Sequence, residues 1–138
     1  MYGALDISTS GMIVQRTRMA AISANIANAG TTLDAQANPS AFKRRVVHIA
    51  PGDPNAQSAA GRGFGVHVRE IEAVQNAVRL DYQPSNPYAD ADGYVKVPDI
   101  NIATEQINAL LAGRAYEANV AAAETTKTMM QGALQLLA

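Results

Sequence analysis

The chain holds two histidines, His48 and His67, and no cysteine. The histidines lie in separate strand-like runs with no carboxylate at ligand spacing, so a metal pair is not expected. Asp90-Ala91-Asp92-Gly93 has the spacing of part of a calcium loop. With Gly93 at the sixth position, Asp90 and Asp92 take the third and fifth and Asp99 the twelfth. Tyr88 stands at the first position, however, and the usual bidentate Glu is missing. Asp and Gly also make tight turns, and a turn feeding a strand is the expected role. "GRGFG", 61–65, lacks the G-x-G-x-x-G spacing and is followed by no Lys-Ser/Thr pair. It reads as a flexible loop. Ser8, Ser10 and Ser23 have no His or Lys partner in a nucleophile motif. Lys43-Arg44-Arg45 is a short basic cluster, expected on a solvated or interface face. No catalytic residue, cofactor or metal site is expected, and the chain does not read as an enzyme.

The totals agree. A chain of 138 residues is the size of one domain and can bury a modest core. Eleven basic and twelve acidic residues leave a net charge of -1, with no basic stripe, so no nucleic-acid partner is expected. Trp is absent and there are only two Phe and five Tyr, which leaves little for stacking platforms. No apolar run reaches the length of a membrane span. "MYGALDISTSGM" has neither a basic n-region nor an unbroken apolar h-region, so an ordinary cleaved signal peptide is not expected.

With no chemistry to position, the elements themselves carry the information. The chain divides into a helix over roughly 3–29, a Gly- and Pro-containing middle over roughly 30–100, and a longer helix over roughly 101–137. In the first helix Leu5, Met12, Met19 and Ile26 recur at a spacing of seven, joined by Ile22. Ile7, Val14 and Ala21 form a second stripe. Gly11 weakens the helix, and Asn28-Ala29-Gly30 supplies a stop, with Gly30 suited to a left-handed cap. In the last helix Ile107, Leu111, Ala115, Ala118, Ala122, Thr125, Met129, Ala133 and Leu136 recur at steps of three and four on one face. Tyr116, Val120, Ala123, Met130, Leu134 and Leu137 occupy an adjacent face. Asn101 is its candidate N-cap, and Glu105 suits the dipole of the first turn. In the middle, 42–49, 65–71 and 78–82 alternate like half-exposed strands. Residues 50–65 and 83–94 read as turn-rich loops.

The expected fold is mainly α with a small β unit. Long terminal helices pack as a coiled coil, and a central insertion holds three to four short strands. Both helices are apolar or small over more than the arc that one partner covers. They are therefore expected to pair with each other and then with neighbouring subunits. Such packing, repeated without closing, makes a filament or tube.

"ALDISTSGMIVQRTRMAAISANIANAGTT", 4–32, resembles the N-terminal motif of the bacterial flagellar axial proteins, the rod, hook and hook–filament junction subunits. Ser23, Asn25, Ile26, Ala27, Asn28 and Thr31 or Thr32 hold the places of its S-x-N-I-A-N-x-x-T signature. "GRAYEANVAAAETTKTMMQGALQL", 113–136, resembles the matching helix, with Arg114, Tyr116, Glu117, Ala118 and Asn119 as its signature. "DADGYVKVPDINIATEQINALLAGRAYEANV", 90–120, and "AFKRRVV", 41–47, are similar to a short basal-body rod member. Residues 33–41, "LDAQANPSA", look longer than the usual link.

The resemblance implies a structural subunit of the proximal rod, a hollow drive shaft in the periplasm that carries torque from the motor to the distal rod and hook. It implies residues 1–32 and 101–138 as one axial helical domain, with 33–100 as a β/loop domain facing outward. The implied partners are further copies, other proximal and distal rod subunits, the adaptor to the MS ring and the flagellar type III export apparatus. The implied interface residues are Leu5, Met12, Met19, Ile22, Asn25, Ile26 and Asn28 in the first helix. In the second they are Ile107, Leu111, Tyr116, Ala118, Asn119, Ala122, Met129 and Leu136. The alternatives are another short rod protein or a soluble coiled-coil adaptor or chaperone. The adaptor would show sustained charge pairs flanking its helix seam, which this Ala-rich helix lacks.

Overall fold

The computed structural model describes residues 2–137; Met1 and Ala138, the ends of the expected terminal segments, lie outside them. In chain order the elements are α1 (Tyr2–Ala27), β1 (Arg45–Pro51), α2 (Ala59–Phe64), β2 (Val66–Ala73), β3 (Val78–Tyr82), β4 (Tyr94–Pro98) and α3 (Ile102–Leu137). The fold is the expected one, two long helices with a small β region between them.

The helices run antiparallel. Asn25 of α1 bonds Glu105 of α3, and fourteen residues back along α1 the Cα of Gly11 faces Asn119, fourteen residues forward along α3. A Cβ built on Gly11 would lie 2.6 Å from Asn119 Oδ1. The glycine that weakens the isolated helix is thus the one that lets the second helix come close. Asn101 caps α3 as expected, its Oδ1 accepting from Thr104 N at 3.1 Å.

α1 is the middle layer. α3 covers one side, and the β1–β2 hairpin with α2 covers another. Val14, Ala21, Ile22 and Asn25 of α1 are buried between them, as is Ala112 of α3. Of the two stripes in the first helix, Ile7/Val14/Ala21 is therefore the inner one. Ser10 ties α1 to the hairpin by donating to Ile7 O at 2.7 Å and accepting from Val66 N at 3.1 Å.

β1 and β2 pair antiparallel, with Val47 opposite Ile71, Ile49 opposite Val68, and an irregularity between His48 and Ile49. β3 and β4 form a second antiparallel pair in which Tyr82 faces Tyr94. Their rings meet edge to face with centroids 5.3 Å apart.

Two local expectations need correction. Residues 50–65 are not all loop: 59–64 form α2, capped by Ser58 Oγ, which accepts from Gly61 N at 3.0 Å. Ser58 N in turn donates to Asp6 Oδ2 of α1 at 3.2 Å, and a Cβ on Gly61 would lie 3.0 Å from Asp6 Cβ. The short helix exists because α1 holds it. α1 also ends without a left-handed Gly30, since the positive-φ glycines among the described residues are Gly52 and Gly93. Asn28 terminates the helix instead, its Nδ2 donating to Ala24 O at 2.9 Å and its Oδ1 accepting from Thr31 Oγ1 at 3.2 Å.

The 33–41 link is a tight turn closed by a Leu33–Pro39 bridge. Asp34 Oδ1 accepts from Gln36 N at 2.9 Å and Asn38 N at 2.8 Å. Ala37 takes the left-handed conformation at φ 61°.

Candidate assembly surface

Asn25 joins three elements. Its Oδ1 accepts from Arg45 N at 2.8 Å and its Nδ2 donates to Arg45 O at 2.9 Å, as a neighbouring strand would. The other Nδ2 hydrogen reaches Glu105 Oε2 at 3.0 Å. Glu105 Oε1 accepts from Arg44 Nε at 2.9 Å and Nη2 at 2.6 Å. Asn25 and Glu105 are each 1 % exposed. A buried carboxylate is tolerated only when paired and hydrogen-bonded, and here both oxygens are used. α1, β1 and α3 are thereby fixed in one register.

This clamp adds to one expectation and revises another. Glu105 lies in the first turn of α3, as expected, and its carboxylate is also buried in the clamp. Arg44 is not simply part of a solvated basic cluster; it points inward, while Lys43 stays exposed and bonds Gln75 Oε1 at 2.6 Å. Arg45 is exposed and stacks over the Phe42 ring at 5.5 Å. The turn residues also have structural employment: Asp90 Oδ1 accepts from Asp92 N at 3.1 Å and Tyr94 N at 2.8 Å. His48 Nε2 meets Glu72 Oε2 across the hairpin at 2.7 Å. His67 Nδ1 bonds Gly52 O.

The terminal helices present what remains. Ala112 of α3 is buried, and Tyr116, Asn119, Val120 and Ala123 are half-buried on the same side. The other side of α3 is bare. Ile107, Leu110, Leu111, Ala118, Ala122 and Met129 are exposed, and Leu136 is 90 % exposed. The Ile107–Leu136 stripe thus faces away from α1. Ala112, Tyr116, Asn119, Val120 and Ala123 make the helix–helix side, and Gly11 of α1 leaves the room that Asn119 takes.

At 1.5 Å per residue, the 36-residue α3 is about 15 Å longer than the 26-residue α1. Carried on in the same register, α1 runs out near residue 128 of α3. The turns from Met129 onward therefore extend past it.

On α1, Leu5, Met12, Met19 and Ile26 are half-buried. Asn28 is half-buried as well, and its amide is used by the helix end. Ile22 and Asn25, expected at a subunit interface, are instead enclosed within the chain, because α1 is the middle layer. No helix among the described residues is long and apolar enough to cross a membrane.

Comparison with known proteins bears on this surface at both ends. Residues 5–32 match the family described as flagella basal body rod protein, and 91–136 match the flagellar basal body rod FlgEFG protein C-terminal family. The chain is 36% identical to the flagellar basal-body rod protein FlgC of Escherichia coli O6:H1, over 95% of this chain and 93% of that one. It is 34% identical to FlgC of Bacillus subtilis (98% and 97% covered). Against FlgC of Borreliella burgdorferi the figure is 31% (99% and 97% covered). With both terminal helices matched and these relatives aligned along nearly their whole length, the chain belongs to the FlgC family of flagellar basal-body rod proteins.

Proposed function

We propose that the chain is a structural subunit of the proximal rod and polymerises through its terminal helices into a hollow shaft. The observation that carries this is the bare face of α3. A helix whose one side packs on α1 shows large apolar residues along its other side, from Ile107 to Leu136. Uncovered apolar area of that extent favours burial against another helix. The half-buried Leu5, Met12, Met19 and Ile26 of α1 offer the complementary surface. Repeating such a contact head to tail gives a helical array rather than a closed pair.

On this reading the helices line the inner tube, and residues 33–100 face outward. Torque passes through many side contacts, and no residue acts as a catalyst. The neighbours are further copies, the other rod subunits and the adaptor to the MS ring. The location is the periplasmic part of the basal body. The subunit arrives unfolded through the type III export channel. Ordering entropy is then offset on assembly, when both helix faces are buried.

The test uses the absence of cysteine. Gln57→Cys places a label on an exposed residue beside α2 while sparing the Ser58 cap. Hook–basal bodies isolated from motile cells should carry the label on the rod between motor and distal rod. A functional protein labelled only in the soluble fraction would instead favour a coiled-coil adaptor.

A further inference from the structure

A groove of about 150 Å³ opens where α1, β1 and the first turns of α3 meet. Arg18, Arg44 and Arg45 line it, with Ile22, Val47 and Ile49 among its apolar walls. Glu105 is the one carboxylate in the lining, and Asn25 and Arg44 already use both its oxygens. The groove is therefore cationic. Arg45 is exposed and rests on the Phe42 ring, where water serves it. Arg18 is half-buried. The ion pairs among the described residues are Arg44–Glu105, His48–Glu72 and Arg114–Glu117, so Arg18 has no counter-charge among them. A guanidinium partly withdrawn from water between apolar walls favours an anion.

The two long helices contain four acids, Asp6, Glu105, Glu117 and Glu124. Asp6 accepts from Ser58 N, Glu105 belongs to the clamp, and Glu117 lies 3.8 Å from Arg114. Glu124 is exposed and pairs with no cation among the described residues. It cannot reach the groove of its own chain. In the antiparallel register set by Asn25–Glu105 and Gly11–Asn119, Arg18 stands level with Ala112. Glu124 lies about 18 Å further along α3.

We infer that Glu124 of one copy seats in the Arg18 groove of a neighbouring copy. This rests on the reading that the bare face of α3 packs against another subunit. Glu124 flanks that face beside Thr125 and Met129, so packing withdraws it from water and it then needs a cation. The groove adjoins the same stripe, since Asn108 of its lining follows the exposed Ile107. A cavity of about 150 Å³ takes a benzene ring, and a glutamate side chain has fewer heavy atoms. Its carboxylate meets Arg18 and its methylenes meet the aliphatic walls, which strengthen the pair by excluding water. Acid and groove are separate surfaces of every copy, so the contact is heterologous and repeats along an array. An apolar stripe alone leaves the sliding position of two helices open, and this charge pair fixes it.

The test is charge reversal in motile cells. Glu124→Arg brings a cation to a cationic groove and should abolish swimming, while the melting temperature of the purified chain stays unchanged because the residue is exposed. Arg18→Glu should abolish swimming too, and the chain with both reversals should swim again. Normal swimming of Glu124→Arg, or a double variant no better than the singles, would overturn the proposal. A second measurement leaves both charges in place, so that a folding defect in the Arg18 variant does not decide the matter. Two differently tagged chains in the same cells carry Ile49→Cys at the groove and Thr128→Cys one turn beyond Glu124. A short bifunctional thiol reagent on isolated basal bodies should give a species with both tags, and its absence would overturn the proposal. Ala122→Asp probes the α3 face without touching Arg18 or Glu124, so the two readings fail separately.

Discussion

Asn25 Nδ2 and Glu105 Oε2 lie 3.0 Å apart although eighty residues separate them in the chain. Through Arg45 and Arg44 the same contact fixes β1, so one buried amide and one buried carboxylate set how both long helices meet the β region. Removing Asn25 leaves the buried Glu105 carboxylate without one of its partners.

Asn25→Ala removes the partner of Arg45 N–H, of Arg45 C=O and of one Glu105 oxygen. The Glu105 oxygen is buried and loses a partner at a cost of about 1–3 kcal/mol, whereas Arg45 is exposed and water takes over its two bonds, so a total loss of about 1–3 kcal/mol is expected. Urea unfolding of the isolated chain measures it. A loss below about 1 kcal/mol would mean that water replaces the amide.

Gly11 and Asn119 should be coupled. Gly11→Ala alone drives a methyl to 2.6 Å from Asn119 Oδ1 and should destabilise the helix pair. In an Asn119→Ala background the same change should stabilise by about 1 kcal/mol, the ordinary gain of Ala over Gly in a helix. A double-mutant cycle reads the change of sign. Equal effects in both backgrounds would show that the helices do not approach closely there.

Ala122→Asp separates folding from assembly. The residue is exposed in the single chain, so stability should change by no more than about 0.5 kcal/mol. In a polymer it would bury an unpaired charge, and rod formation and swimming should be lost. Normal motility with the variant present in basal bodies would count against the α3 face as an interface.

The link at 34–38 should respond to acid. The backbone N–H of Asn38, above other causes, holds the Asp34 carboxyl below its ordinary value of 3.8. With the folded pKa depressed, the turn's support from Asp34 is fully present above the ordinary value. It is lost as pH falls through the lowered one. A carboxyl titration followed by NMR should give a midpoint under 3.8, with the Gln36 and Asn38 amides shifting together. In Asp34→Asn those amide shifts should disappear.

The long elements were legible because their signals are local. Steps of three and four mark α3, Asn101 marks its start, and alternation marks much of β1 and β2. What escaped depends on contacts far apart in the chain. Arg44 and Glu105 carry no sign that they meet, since an acid in a first turn and a basic triplet each have a sufficient local explanation. α2 has six residues, two of them glycine, and no periodicity can announce it. Its stability comes from Asp6 and from the close approach at Gly61. Which face of α3 meets α1 was not legible for a related reason. Periodicity marks two apolar faces alike, whereas the contact with α1 is decided by the close approach of Gly11 to Asn119, far away in the chain.

The Asn25 amide also has a bearing on how wrong assemblies are avoided. Arg45 turns its N–H and C=O away from β2, towards the outer edge of β1. An open edge of that kind is a template for stray strand addition. A polymer-forming protein with two short β pairs and bare helices would then have a competing, fibre-like way to stack. By occupying both groups with a side chain, α1 closes the edge at the strand's first residue. The signature that ties the helices together thus also serves as a gatekeeper against cross-strand aggregation.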